Sequence, residues 1–327
     1  MTTAQAAIEP AIRWGWSAAL RGAILAIPAA AVAPHDAQHA AVLAVGLVPA
    51  ASIPLPPTRR GRLKPAAVGV LAGASMFVGG VLAIWPPLAV AGIFVLAVLA
   101  ARLAVGRALG AVALSLCLPL VGIGFSFGDV ETAATLALVI ALGSAYGLAI
   151  SLLWPPGSAV TLPPVYVPPP RAVMVRFGYQ AGTAGAICAA VGFALDLDHV
   201  GWATGAALLV MRPAPRLQEY RSLARVVDVI VGATVAIALV TADAPAWAYS
   251  VAILVAVVCV TATAGSRWYV MPAFTTFLVF VMLLVEDPGD AQSRFWERVL
   301  ETALGVGVAA VVVVVATAYL IRPKQDR

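Results

Sequence analysis

The chain has 327 residues, of which 62% are hydrophobic and only 11% charged. Soluble domains run at about 45–50% apolar and about 25% charged, so no water-soluble fold hides this much apolar surface, and lipid is the expected solvent. The net charge of +5 does not mark a nucleic-acid binder, because the basic residues sit in short gaps between apolar runs and form no stripe.

Lipid leaves every backbone N–H and C=O to be paired within the chain, and apolar runs without period-two alternation predict helices, not a barrel. The fold class is therefore all-α, a polytopic membrane protein. In chain order the predicted spans are 16–33, 38–54, 65–84, 86–104, 108–126, 131–153, 178–195, 200–212, 226–242, 245–264, 270–285 and 299–321, about twelve transmembrane helices. The amino terminus imitates a secretory signal ending at Ala31-Val32-Ala33. It is read as retained, because Arg21 interrupts the apolar run, Pro34 follows directly, and Trp14-Gly15-Trp16 suits an interfacial anchor. Segments 38–54 and 200–212 meet Pro49 and Pro213 early. They are short, Pro-ended spans or re-entrant segments.

Positive residues accumulate in short cytoplasmic loops. With the amino terminus cytoplasmic, seventeen of the twenty Lys and Arg fall on the inner side, from Arg13 and the Arg59-Arg60 pair to Lys324 and Arg327. Asp36, Asp129, Glu131, Asp196, Asp198, Asp243, Glu286, Asp287, Asp290, Glu297 and Glu301 gather on the outer side. Both termini are then cytoplasmic, and the location is the bacterial inner membrane.

Arg13-Trp14-Gly15-Trp16 recurs as Arg176-Phe177-Gly178-Tyr179, an offset of 163 that also maps Arg62 onto Arg225 and Gly69 onto Gly232; an offset of 170 maps Glu131-Thr132 onto Glu301-Thr302. Three anchors in order predict a duplication. Six spans per half is even, so the two six-helix repeats run parallel about an axis along the membrane normal, with a pathway expected between them. The domains are 1–154, the first repeat; 155–175, a linker; and 176–327, the second repeat. Seven prolines between 155 and 170 favour extended polyproline geometry in that linker.

The second half reads His199-Val200-Gly201-Trp202-Ala203-Thr204, then Arg212-Pro213, Arg221, Arg225 and Gly232-Ala233, and closes with Arg298-Val299-Leu300-Glu301-Thr302-Ala303-Leu304-Gly305. This resembles the fusaric-acid-resistance and aromatic-acid-exporter (FUSC) family of integral membrane transporters. The family's repeats carry a Trp-Ala helix, a basic cytoplasmic loop, an Arg-led Gly-rich helix and a late Arg-x-x-acid-Thr helix. The similarity covers about 176–321 well and the first half loosely. Where the family has Gly-Thr three residues after the loop arginine, this chain has Asp228-Val229, and Pro65-Ala66 in the first half. The resemblance implies efflux of small organic anions, often aromatic carboxylates.

The candidate substrate-binding residues follow from position. Arg21 sits roughly 8 Å along its helix from Trp16, placed either to bind an anion or to snorkel to the surface. Arg62, Arg221 and Arg225 stand at cytoplasmic mouths, where they would concentrate anions. Trp202 and Thr204 begin a short Pro-ended helix, the kind of paired broken segment that marks transporter sites. Asp228, one turn after Arg225, either pairs with it or carries protons, and Glu301 is the second proton-coupling candidate. Arg298 and Glu301 read as an i,i+3 ion pair on the outer leaflet.

His35, Asp36 and His39 have metal-like spacing but fall in a wet outer loop, so no metal is expected. Cys117, Cys188 and Cys259 lie in separate apolar segments without motif spacing, as buried small hydrophobes do. No phosphate-binding Gly-Lys loop and no convergent catalytic set is present: the chain is not expected to be an enzyme or to hold a cofactor. Its partners are the lipid bilayer and small organic anions, not nucleic acid, with room for a homo-oligomer or an envelope partner protein. The competing function is a non-transporting envelope scaffold or assembly partner.

Overall fold

A computed structural model describes residues 12–105, 107–155, 170–213, 215–264, 266, 270–285 and 287–321, and among them there is no strand. The Pro-rich linker lies mostly outside the described residues. The helices are α1 (Trp16–Val32), α2 (Ala37–Ser52), α3 (Leu63–Ala83), α4 (Pro86–Ala104), α5 (Ala108–Val112), α6 (Leu118–Gly124), α7 (Val130–Leu153), α8 (Arg171–Ala194), α9 (Val200–Val210), α10 (Pro215–Thr241), α11 (Ala246–Ala262), α12 (Met271–Leu284) and α13 (Ala291–Ile321).

Each predicted span therefore has a helix, with three changes that have local causes. Segment 108–126 is α5 and α6 joined by a π-helical stretch, Ala113–Cys117. Pro119 has no N–H to return to Ser115, and the turn before it widens so that Leu118 N–H donates to the Ala113 carbonyl instead. Next, α8, α10 and α13 begin several residues before their apolar cores, through Arg-, Gln- and Glu-containing turns that are themselves good helix formers. Finally, α2 runs through Pro49 to Ser52, whereas α9 stops before Pro213 as expected. Asp36 caps α2 by accepting from the His39 N–H at 2.9 Å, and that backbone bond holds its carboxyl below the usual range.

Five helical stretches, Leu63–Ala83, Pro86–Ala104, Val130–Leu153, Gln218–Thr241 and Pro288–Ala318, are long and apolar enough to cross a bilayer. The helices sort into two packing units that do not follow the two halves of the sequence. Unit one comprises Met1–Val70, Val139–Val160 and Val227–Phe295; unit two comprises Leu71–Leu138, Thr161–Val226 and Trp296–Arg327.

Inside unit one, α1 packs along α11 and α2, and α2 packs on α12. The core there joins Leu25, Ala44, Ile253, Leu278 and Phe280. The end of α7 is tied to α1 by the Tyr146 hydroxyl, which donates to the Ile24 carbonyl at 3.0 Å.

Inside unit two, α8 packs along α4 and α9, and α9 packs on α6. Ile93, Ala97, Ala184, Cys188, Ala203 and Leu208 fill that core. Small residues let these backbones approach closely: a Cβ on Gly201 of α9 would lie 2.4 Å from the Gly122 carbonyl oxygen of α6. Helix α8 ends in a Schellman turn, with Asp196 at φ 50°, Leu197 N–H donating to the Gly192 carbonyl and Asp196 N–H to that of Phe193. That turn delivers Asp198 and His199 to the start of α9.

Candidate functional site

Helix α9 is short and almost wholly buried, so what lines it is settled by its neighbours in unit two. Trp202 is 4% exposed. One face of its indole stacks on the His199 ring, with centroids 4.0 Å apart and planes 18° apart. The Arg298 guanidinium carbon of α13 lies 4.2 Å from its ring centroid, within cation–π range. His199 is held in turn by Glu297, with Nδ1 2.7 Å from Oε1. A run Glu297–His199–Trp202–Arg298 thus links the turn before α9 to α13.

Arg298 is 6% exposed and Glu301, one turn further, 4%. Arg298 Nε and Nη1 and both Glu301 oxygens have no hydrogen-bond partner among the described residues. The expected Arg298–Glu301 ion pair is therefore not a hydrogen-bonded one: the guanidinium lies over the indole, and the carboxyl stays in the packed interior. Thr302 Oγ1 is also buried and unbonded. Buried polar groups normally find partners, and clusters of bare ones in an apolar helix bundle mark functional positions.

Helix α10 brings more charge to the same unit. Gln218 Nε2 donates to the Ala309 carbonyl of α13 at 3.2 Å. Arg225 is buried and close enough to Arg298 for their charges to repel. Arg221 stands in the same relation to Arg212. Both Arg221 and Arg225 were expected at a cytoplasmic mouth. Both lie within α10, which starts at Pro215 and not near 226. Asp228 is buried one turn beyond Arg225, on the part of α10 that belongs to unit one.

Thr204 is fully buried, but its hydroxyl turns back toward the Val200 carbonyl of its own helix at 3.5 Å, and its methyl faces Gly122. This geometry packs Thr204 on α6. Arg21 and Arg62 lie in unit one. Arg62 is 1% exposed, and its guanidinium donates to the carbonyls of Pro56, Ser151, Trp154 and Pro155. At the turn before α2, His39 Nδ1 sits 2.6 Å from Asp36, and among the described residues no group of three metal-ligating side chains forms.

Sequence reasoning missed His199, Glu297 and Arg298 as site residues. The signal was present as Glu297, Arg298 and Glu301 at i, i+1 and i+4 on one apolar helix, but their partner Trp202 is nearly a hundred residues away.

Gly305 sets how close α13 comes. A Cβ there would lie 2.2 Å from the Ala203 carbonyl oxygen and 3.0 Å from Ala207 N, whereas a Cβ on Gly307 meets nothing within 4 Å. Gly305→Ala is expected to lower stability by about 2–3 kcal/mol and Gly307→Ala to change it little, read as unfolding midpoints of the purified protein in detergent.

No curated protein and no solved structure matches the chain. Residues 187–312, which hold α9 to α12, the end of α8 and most of α13 with the Trp202–Arg298–Glu301 group, match the family described as fusaric acid resistance protein-like, and over those residues the resemblance read from the sequence is borne out.

Proposed function

We propose that this chain is a multi-pass exporter of the bacterial inner membrane that moves small organic anions, aromatic carboxylates among them, with Arg298, Trp202 and Arg225 receiving the anion and Glu301 exchanging a proton. The observation that carries the reading is the Arg298 guanidinium lying over Trp202, with two of its nitrogens and the neighbouring Glu301 carboxyl unbonded in the interior of an apolar helix bundle. A carboxylate ligand satisfies guanidinium N–H groups, and an aromatic ring finds the indole beside them. Arg102, Arg107 and Arg171 line a cavity of about 380 Å³ in the same unit and would raise the local concentration of anions before entry.

The twelve-span, two-repeat reading belongs to the same proposal. Under the repeat, α8 and α9 correspond to α1 and α2, α11 to α4, and α12 to the α5–α6 segment. In unit one α1 packs along α11, and α2 on α12; in unit two α8 packs along α4, and α9 on α6. Each first-and-second helix pair is thus packed against the fourth and fifth helices of the opposite half, the arrangement expected of a duplicated sequence whose halves exchange partners. Corresponding broken or short helices in two repeats are where transporter sites are built.

The test is flux of labelled aromatic carboxylates into inverted membrane vesicles. Arg298→Met and Trp202→Leu are each expected to reduce it roughly tenfold to a hundredfold, the scale of losing a charge-assisted contact, at equal amounts of folded protein. Flux equal to wild type in both variants would remove the proposed anion site.

A further inference from the structure

Unit one contains a second cationic group that the export site does not use. Arg21 is 5% exposed and Arg62 1%, and together with Ala50, Ser144, Gly147 and Ser151 they line a closed cavity of about 10 Å³. That is room for one sphere of water's size. The two guanidiniums are close enough to repel one another, and no carboxylate among the described residues pairs with either. Arg62 spends four of its N–H···O contacts on backbone carbonyls, but a guanidinium has five N–H groups. The Ser151 hydroxyl is occupied by the Leu148 carbonyl at 2.7 Å. The Ser144 hydroxyl is not occupied: it is fully buried and has no partner. It stands over Gly69, where a Cβ would lie 1.8 Å from its Oγ, so the glycine at 69 is what leaves the hydroxyl its place.

We infer that this cavity holds one small inorganic anion of halide size, bound by Arg21, the remaining N–H of Arg62 and the Ser144 hydroxyl. Two like charges buried together without a counter-charge are expensive in an apolar surrounding, and an anion seated beside both offsets that cost where a water molecule would not. The volume admits a single atom-sized ligand, which excludes carboxylates and phosphate. The ion is therefore a structural one, and the organic anion of the export proposal does not bind here.

The experiment uses the full chain purified in detergent and compares unfolding midpoints in sodium chloride, sodium bromide and sodium gluconate at equal ionic strength. Chloride and bromide are expected to raise the midpoint by roughly 5 °C over gluconate, saturably. The halide shift should vanish in Arg21→Gln, fall in Ser144→Ala and persist in Glu301→Gln, which separates it from the export site. Ser144→Ala decides the matter if Arg21→Gln does not fold. Equal midpoints in the three salts would mean that the cavity holds water and would overturn the inference, as would an undiminished halide shift in Ser144→Ala.

Discussion

Glu301→Gln is expected to abolish stimulation of anion flux by a pH gradient in proteoliposomes, a loss of roughly a hundredfold on the scale by which positioned proton-transfer groups act, while leaving exchange of anion for anion in place. The carboxyl is the one acid of α13 that is both buried and unbonded at both oxygens among the described residues. Its charged surroundings are Glu297 and Arg298 on its own helix and Asp198 from the turn before α9. His199 is tied to Glu297, and Arg225 faces Arg298 from α10. When Glu301 is ionised it compensates these cations; when it takes up a proton, Arg298 is left with positive charge to offer an incoming carboxylate. Proton and organic anion are in this way alternatives at one place, which is what coupling needs. Glutamine keeps the shape and fixes the uncharged condition. Asp228→Asn, on a residue already engaged in an interaction, is expected to keep the gradient response. A gradient response retained in Glu301→Gln and lost in Asp228→Asn would transfer the proton role to Asp228.

The second large effect is structural. Arg62→Met is expected to destabilise the protein by about 3 kcal/mol or more, since loss of a buried charged partner typically costs about 3–5 kcal/mol. The last carbonyls of a helix have no partner within it. At the end of α7 those of Ser151 and Trp154, with that of Pro155 just after, are met by the Arg62 guanidinium, which also holds Pro56 in the loop after α2. A cation at this end also suits the helix dipole. Methionine fills the volume but donates nothing, so four carbonyl acceptors, that of Ser151 buried and the others partly so, lose a donor at once. Arg62→Lys should recover little, because one ammonium cannot span acceptors on three sides. Unfolding midpoints in detergent give the answer, and a midpoint within a degree of wild type would show that the carbonyls find other donors.

These two residues show where sequence was sufficient and where it was not. Arg62 was visible as a charge beside a span, and its repeat counterpart Arg225 likewise. Nothing local distinguishes a guanidinium that faces water from one that turns inward to collect carbonyls, because its acceptors at 151, 154 and 155 are about ninety residues away. Glu301 was visible as an acid within an apolar run, yet its bareness depends on Arg298 lying over Trp202 instead of turning to it.

What the sequence by itself determined was the class of solvent, the helices and their order, since an apolar run in lipid must bond its own backbone whatever it later touches. It also showed the family resemblance, carried by motifs that are contiguous in the chain. Only the tertiary structure decided which arginine lies over Trp202 and which caps a helix, and how the two halves lend helices to each packing unit. Those outcomes depend on contacts between residues far apart in the chain, and a guanidinium side chain is long and adaptable enough to serve either role until its neighbours are in place.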